Sequence, residues 1–490
     1  MIFFTIKNLE FFIALLIIDQ YLTNNIYKIP FGLYNSKDSN NSLDIIDNIF
    51  FNSIYINLSI GTPPQIIPFA LSINSQTFSV PFNLFDRNQS SSYESVSKHE
   101  ISYEYEDVTD GYNSRDILNL NNNTKQKINF ILGTKYESKN NIFGIVGLLI
   151  PKRVQFQVYP FFQSLRNAGF INSYVWTLKF FENISLIDTI TYNKNKSNII
   201  GEFIFGDEPH NYEDDKYKYN LTEFFKISPI SSPSGNIYWD IEFNSIYLTN
   251  HTKKENQFSK IMIQGEKKAQ IMPDIGFMIG PSEFYNLIKN NFFKEYLDNN
   301  ICIQKKMNFY LYNYIECIYN STFRISSFPT ISFEHIGFES IFNLTYKDLF
   351  VVDKKNSRYL FLILNKDFYP HWVLGNVFLR KFQFVFNVDY KTIGYYKSIN
   401  SYNGKDKNIN ENNKKDVKNL KYTIFIILLI IFSVLLILLG MFCQKIFFNK
   451  NRKIRANELE ENFSYESDIS KNKNKSIINE EGNEKHYYSI

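Results

Sequence analysis

The chain of 490 residues is poor in several residue types that mark well-known protein classes. Its three cysteines are too few for a disulfide-dense scaffold or a cysteine-rich zinc module. Its 19 glycines and 14 prolines exclude a collagen-like or low-complexity chain. The formal net charge is only +4, so no nucleic-acid partner is expected. No His or Cys pair has the spacing of metal ligands, and we expect neither a metal nor a cofactor.

Aromatic residues, by contrast, are abundant, with 48 Phe and 34 Tyr. Between residues 51 and 397, short runs of Ile, Val, Phe and Tyr alternate with clusters of Asn, Ser, Gly and Asp. Short apolar runs separated by turn-forming residues are typical of strands in sandwiches and barrels. The sequence therefore predicts a mainly β fold.

Two apolar segments flank this region. Residues 1–22 have a short apolar core preceded by Lys7, which predicts a secretory signal peptide; an uncleaved N-terminal anchor is the alternative. Residues 422–443 carry no charge and are long enough to cross a bilayer as one transmembrane helix. We therefore expect a single-pass type I membrane protein with a lumenal or extracellular ectodomain, in the secretory pathway, an endosome or the cell surface.

The regions next to the membrane segment have their own patterns. Residues 401–421 are rich in Asn, Lys and Asp and are interpreted as a solvated stalk. Residues 444–490 form the cytoplasmic tail, which ends in Tyr487, Tyr488, Ser489 and Ile490. This ending resembles a tyrosine-based signal that binds an endosomal sorting adaptor, a pattern that also arises by chance in such a chain.

Two kinds of modification are expected in an ectodomain on this side of the membrane. Cys302 and Cys317 are its only cysteines, so an oxidising compartment favours a disulfide between them. Glycosylation acceptors of the type Asn-x-Ser/Thr occur throughout and predict a glycoprotein. They include Asn57, Asn88, Asn183, Asn220, Asn250, Asn320 and Asn343.

Several short motifs between residues 51 and 397 appear in the order typical of one family. They are Gly61-Thr62-Pro63, Val80-Pro81, Ser90-Ser91-Ser92-Tyr93, Gly144-Ile145-Val146-Gly147-Leu148, the run 201–209, Tyr238-Trp239, the run 328–333, and the run 372–380. Together they resemble the pepsin-like family of aspartic peptidases. The resemblance implies a mainly β, bilobal pepsin-like fold with a central cleft. Its lobes would be residues 49–212 and 213–400, preceded by residues 23–48 as a short linker or remnant prosegment.

The resemblance also implies the positions of the catalytic loops. In the family each lobe presents one Asp-Thr/Ser-Gly loop to the cleft, and the first Asp follows the motif glycine by a fixed spacing. Counted from Gly61, that position is Ser72, so the first loop is Ser72-Ile73-Asn74-Ser75. The second loop is Asp274-Ile275-Gly276, which retains the family's Asp.

The remaining site residues follow from the same resemblance. Tyr105 corresponds to the tyrosine of the family's flap, and Tyr105, Ser75 and Gly276 are the expected substrate-binding residues. The family's loop threonines, whose hydroxyls join the two loops, are replaced by Ile73 and Ile275. A peptide or protein ligand in the cleft is the expected partner.

These departures predict an impaired catalyst. Ser72 does not ionise near neutral pH and cannot act as the base. We therefore expect a membrane-anchored family member that binds peptide or protein in the cleft and has lost most of its proteolytic activity. An active aspartic endopeptidase remains the first alternative; it would need another carboxylate, from Asp86, Asp107 or Asp110. A structural or adhesion protein that kept only the fold is the second.

Overall fold

The computed structural model describes fourteen stretches of the chain, all in the first of two compact units, residues 1–405 and 406–490. The stretches are 26–33, 54–73, 75–100, 108–121, 124–136, 143–149, 160–181, 199–215, 217–230, 239–251, 258–307, 312–354, 356–366 and 369–397. Within them no helix is long and apolar enough to span a membrane. The predicted signal peptide, stalk, transmembrane helix and tail lie outside these stretches.

Strands dominate the described residues. The part before residue 212 contains β1 (Tyr27–Leu33), β2 (Ile54–Ile60), β3 (Gln65–Ser72), β4 (Phe78–Pro81), β5 (Glu94–Glu100), β6 (Val108–Asn121), β7 (Thr124–Tyr136), β8 (Gly144–Gly147), β9 (Val175–Phe180) and β10 (Ile199–Phe205). The part after it contains β11 (Phe224–Ile227), β12 (Asp240–Glu242), β13 (Ser245–His251), β14 (Phe258–Met262), β15 (Lys268–Ile271), β16 (Met278–Gly280), β17 (Cys302–Lys306), β18 (Tyr312–Ile318), β19 (Thr330–His335), β20 (Ser340–Leu344), β21 (Phe350–Asp353), β22 (Arg358–Phe361), β23 (Ile363–Lys366), β24 (Trp372–Leu374), β25 (Phe384–Asn387) and β26 (Thr392–Tyr396).

The helices of the described residues are short. They are α1 (Phe161–Asn167), α2 (Ser282–Ile288), α3 (Lys294–Asp298), α4 (Tyr346–Leu349) and α5 (Asn376–Leu379). A π-helical segment, Lys289–Phe293, joins α2 to α3. Single 3₁₀ turns cover Pro209–Asn211, Leu221–Glu223, Ile325–Ser327 and Ile336–Phe338.

The strands form three sheets. The largest has the order β11-β26-β25-β9-β10-β1-β2-β3-β8-β4-β7-β6-β5. The second has the order β12-β15-β24-β16-β23-β18-β22-β21, with β17 paired to β18, and the third is β14-β13-β19-β20. These strands and sheets confirm the expected mainly β fold. Apolar residues that alternate along a strand are buried when strands pair into sheets and the sheets pack face to face.

The two lobes meet in the largest sheet, where β9 of the first lobe pairs with β25 of the second. Phe386 of β25 lies opposite Trp176 of β9, and their rings stack with centroids 4.0 Å apart. Trp239, the first described residue after 230, packs edge-on against both rings. All three rings are almost completely buried. The lobes therefore share one aromatic core at their junction.

A strand forms where the sequence analysis placed a linker or remnant prosegment. Strand β1 pairs with β10 over six residues and with β2 over three, in the middle of the largest sheet. Phe31 is fully buried and occupies the space where a side chain at Gly201 would lie. Lys28 forms an ion pair with Glu213 at 2.9 Å. This segment is thus a structural part of the first lobe, held by main-chain pairing and apolar burial.

The predicted disulfide is confirmed. Cys302 and Cys317 are bonded and lie directly opposite each other in the antiparallel pair β17–β18. Both are buried. The bond closes a loop within the second lobe.

Candidate active site

The first loop (residues 72–77) begins at the carboxyl end of β3. Along this strand Ile67, Phe69 and Leu71 are buried, so the chain enters the loop in a fixed orientation. Ser72 is half-buried and lies opposite Gly147 of the parallel strand β8. Its carbonyl oxygen accepts the amide N–H of Leu148 at 2.7 Å. The backbone at Ser72 is therefore anchored to β8.

Hydrogen bonds within the first loop hold its shape. The Ser75 hydroxyl lies 2.8 Å from the Thr77 hydroxyl and accepts the Thr77 amide at 3.1 Å. Gly147 passes so close that a Cβ there would lie 2.6 Å from the Ser75 carbonyl oxygen. Ser75 is only 2% exposed, so almost none of its surface is open to a substrate in this conformation. Ile73 is fully buried.

The second loop (residues 272–277) follows β15. Met272 N–H donates to Leu374 O at 3.0 Å, and Asn376 N–H donates to Ile275 O at 2.8 Å. Asp274 is half-buried, whereas Gly276 is buried. A Cβ at position 375 would lie 1.9 Å from the Phe277 oxygen, so only glycine fits there. The start of α5 therefore supports the backbone around Asp274.

A short hydrogen-bonded path connects the two loops. The indole Nε1–H of Trp239 donates to the Leu148 oxygen at 2.9 Å. The Trp239 oxygen accepts the amide of Ile271 at 3.2 Å. Since Leu148 N–H also donates to the Ser72 oxygen, Leu148 and Trp239 connect the backbone of Ser72 to that of Ile271, three residues before Asp274. The motif Tyr238-Trp239 was visible in the sequence, but this role was not.

Asn376 is a second residue that the sequence analysis did not single out. It is only 1% exposed. Neither its Oδ1 nor its Nδ2 has a hydrogen-bond partner among the described residues. An uncharged amide here avoids placing a second carboxylate in a buried position beside the second loop.

Three other carboxylates were predicted as possible replacements for the missing acidic group: Asp86, Asp107 and Asp110. Asp86 is exposed in the turn after β4, where its Oδ1 accepts Asn88 N–H at 2.9 Å. Asp110 lies near the start of β6, opposite Lys135. Asp107, Asn74 and the predicted flap residue Tyr105 lie outside the described residues.

A buried carboxylate of the first lobe has a structural role. Asp116 is fully buried and accepts the hydroxyls of Ser90 at 2.7 Å and Ser92 at 2.6 Å, together with the Ile117 amide at 2.7 Å. Ser90 in turn accepts the Thr62 amide at 3.0 Å. This network fixes the turn that leads into β3, and the first loop begins at the other end of that strand.

The comparisons with known proteins identify the family. The model of the eukaryotic aspartyl protease family matches residues 53–397, a range that includes both loops. No curated protein sequence matches the chain. Within the described residues, no group of three His, Cys, Asp or Glu side chains is arranged to hold a metal ion. With this match over more than half of its length, the chain belongs to the eukaryotic aspartyl protease family.

Proposed function

We propose that this family member is catalytically impaired and binds an extended peptide or a protein segment in the cleft between its lobes. The observation that carries the proposal is Ser72 at the end of β3, where the family has its first Asp. Membrane anchoring through residues 422–443 is part of the proposal and rests on the sequence of that segment.

The reaction of the family needs two carboxylates close together. Like charges at such a distance cannot both ionise, so the pair shares a proton, and one member acts as base while the other acts as acid. A serine hydroxyl at position 72 can take neither role at neutral or acidic pH. With serine at position 72, the two loops supply only one of the two acidic side chains that this reaction needs. Each lost acid or base role lowers the rate by a factor of roughly 10² to 10⁴.

The framework around the loops supports retained binding. The side chains at 73 and 275 carry no hydroxyl, so the loops are joined instead through main-chain bonds and the Trp239 indole. None of these bonds uses the side chain of Ser72 or of Asp274. A family cleft can therefore persist after the reaction is lost, because binding and proton transfer use different groups.

The test is a cleavage and binding experiment on the full-length protein in detergent. A mixed peptide library is incubated with four proteins between about pH 3.5 and about 7.5. They are the wild type, Ser72→Asp, Asp274→Ala and Ser72→Asn, which is the uncharged control of the same shape as Ser72→Asp. We expect no cleavage by wild type or Ser72→Asn, together with peptide binding by both.

Two results would overturn the proposal, and each would favour a different alternative function. Cleavage by wild type that is abolished in Asp274→Ala would establish an active aspartic endopeptidase with another acid. A folded wild type that neither cleaves nor binds any library member would favour the structural or adhesion role. Cleavage that appears only in Ser72→Asp would show that a single carboxylate was missing.

A further inference from the structure

The segment that leaves the first lobe, residues 206–212, is held by strands of the second lobe. Glu208 is buried, and its carboxylate accepts Lys226 Nζ of β11 at 2.6 and 2.9 Å and Asn387 Nδ2 of β25 at 3.0 Å. We call residues 206–212 the exit segment. It follows β10, whereas these partners of Glu208 belong to β11 and β25, beyond residue 223.

His210 makes the second contact of the exit segment. Its Nδ1 lies 2.6 Å from the Tyr396 hydroxyl, and its backbone N–H donates to the same oxygen at 3.2 Å. In neutral His210 with its ring proton on Nε2, Nδ1 is free to accept the hydroxyl proton of Tyr396. We assign His210 this form.

We propose that His210 is a pH-sensitive contact between the lobes. In neutral His210, Nδ1 accepts the hydrogen bond of the Tyr396 hydroxyl and holds the exit segment against β26. In protonated His210 both ring nitrogens carry hydrogen, so the hydroxyl proton loses its acceptor and the segment is held less tightly. Tyr396 is fully buried, so its hydroxyl has no water to donate to once the histidine bond is lost. Acidification therefore weakens the lobe junction, independently of whether the cleft cleaves or binds peptides.

Charged groups around His210 act in opposite directions. On the exit segment itself, Glu208 Oε2 lies 3.7 Å from Nε2 and Asp207 is close; both raise the pKa of His210. From β11, Lys226 lowers it. From β26, Tyr396 is the hydrogen-bond partner.

Burial outweighs these charges. Phe224 stacks on Tyr396 with ring centroids 4.2 Å apart and lies 5.3 Å from the His210 ring. Desolvation by this packing is the largest cause of the shift, and the pKa of His210 lies below its usual value of 6.5. The unfolded chain therefore binds the proton more readily than the folded one. The stabilisation is complete above about pH 6.5 and is lost as the pH falls through the lower pKa of the folded protein.

The experiment measures hydrogen exchange of the β9 and β25 amides in the full-length protein at about pH 7.5 and about pH 5. Rates are corrected for the intrinsic effect of pH. We expect opening of this pair to increase at low pH, by at most about tenfold for each unit by which the His210 pKa is lowered. His210→Asn places an amide oxygen near the position of Nδ1 and cannot be protonated, so its opening should not depend on pH.

A matched control is available in the second lobe. The pKa of His335 is also lowered by burial, and its Nδ1 accepts the Phe338 amide at 3.2 Å within the same lobe. His335→Asn should leave the pH dependence at β9–β25 as in wild type. Wild-type pH dependence in His210→Asn would overturn the proposal. If His210→Asn does not fold, Tyr396→Phe is the second test. It lacks the hydroxyl donor, so the pH dependence of exchange at β9–β25 should be smaller than in wild type. An unchanged pH dependence in Tyr396→Phe would also refute the proposal.

Discussion

The indole nitrogen of Trp239 donates a hydrogen bond to the main-chain oxygen of Leu148 at 2.9 Å, across 91 residues of sequence. Leu148 donates to Ser72, and Trp239 accepts from Ile271 just before the second loop. The two loops of this family member are thus joined through an indole and main-chain groups. This link does not need the threonine hydroxyls that Ile73 and Ile275 lack.

Loss of the indole N–H donor of Trp239 should lower the free energy of unfolding. Trp239→Phe keeps an aromatic ring beside Trp176 and Phe386 but leaves the buried Leu148 oxygen without its donor, which costs about 1 to 3 kcal/mol. Trp176→Phe is the matched control, because the Trp176 Nε1 has no hydrogen-bond partner among the described residues. Denaturant unfolding should show the larger loss for Trp239→Phe. Equal losses would mean that the ring alone matters.

Restoring the first carboxylate tests whether the two loops lie side by side. In Ser72→Asp, repulsion by Asp274 should raise the pKa of one carboxyl of the folded protein above its unfolded value. The variant should then match Ser72→Asn near pH 4 and become less stable as the pH rises towards 7, by about 1.4 kcal/mol for each unit of pKa shift. Unfolding curves of both variants across this range provide the measurement. A constant difference between them would place the carboxyls too far apart to interact.

Strand β1 should be required for folding. Phe31 is fully buried against Phe180 and Gly201, so Phe31→Ala should lower the free energy of unfolding by about 3 to 5 kcal/mol. Lys28→Ala on the same strand removes only a partly exposed ion pair and should cost less than about 1 kcal/mol. Comparable small effects for both variants, measured by denaturant unfolding, would show that β1 is dispensable.

The Asp116 network should contribute to the stability of the first lobe. Asp116→Asn keeps the shape but replaces one acceptor oxygen with a donor, which should cost about 1 to 3 kcal/mol because Ser90 and Ser92 both donate to the carboxylate. Asp86→Asn, at an exposed turn, should change stability by less than about 0.5 kcal/mol. Thermal unfolding of the two variants checks the contrast, and a neutral Asp116→Asn would show that the hydroxyls find other acceptors.

The disulfide should stabilise the second lobe. The bond closes a loop with a sequence separation of 15, for which the chain-entropy model gives about 3 kcal/mol. Cys302→Ser with Cys317→Ser should lower the unfolding midpoint and make it insensitive to reductant. Cys443→Ser, outside the described residues, is the control and should retain wild-type sensitivity. If reductant does not change the wild-type midpoint, the bond contributes nothing to stability.

Local patterns were enough to predict the fold class, the family and the disulfide. Turn signals after apolar runs predict strands, and motifs such as Gly61-Thr62-Pro63 occur in family order. These inferences succeed because strand periodicity and turn chemistry depend on neighbouring residues.

The contacts that join distant segments could not be predicted in this way. Strand β1 has an apolar alternation too short to distinguish a strand from a linker, and only its pairing with β10 and β2 makes it part of the sheet. The bonds from Trp239 to Leu148 and from His210 to Tyr396 span 91 and 186 residues. Which donor meets which acceptor over such separations is decided by packing of the whole core, because burial leaves each polar group only the partners that the folded chain brings to it.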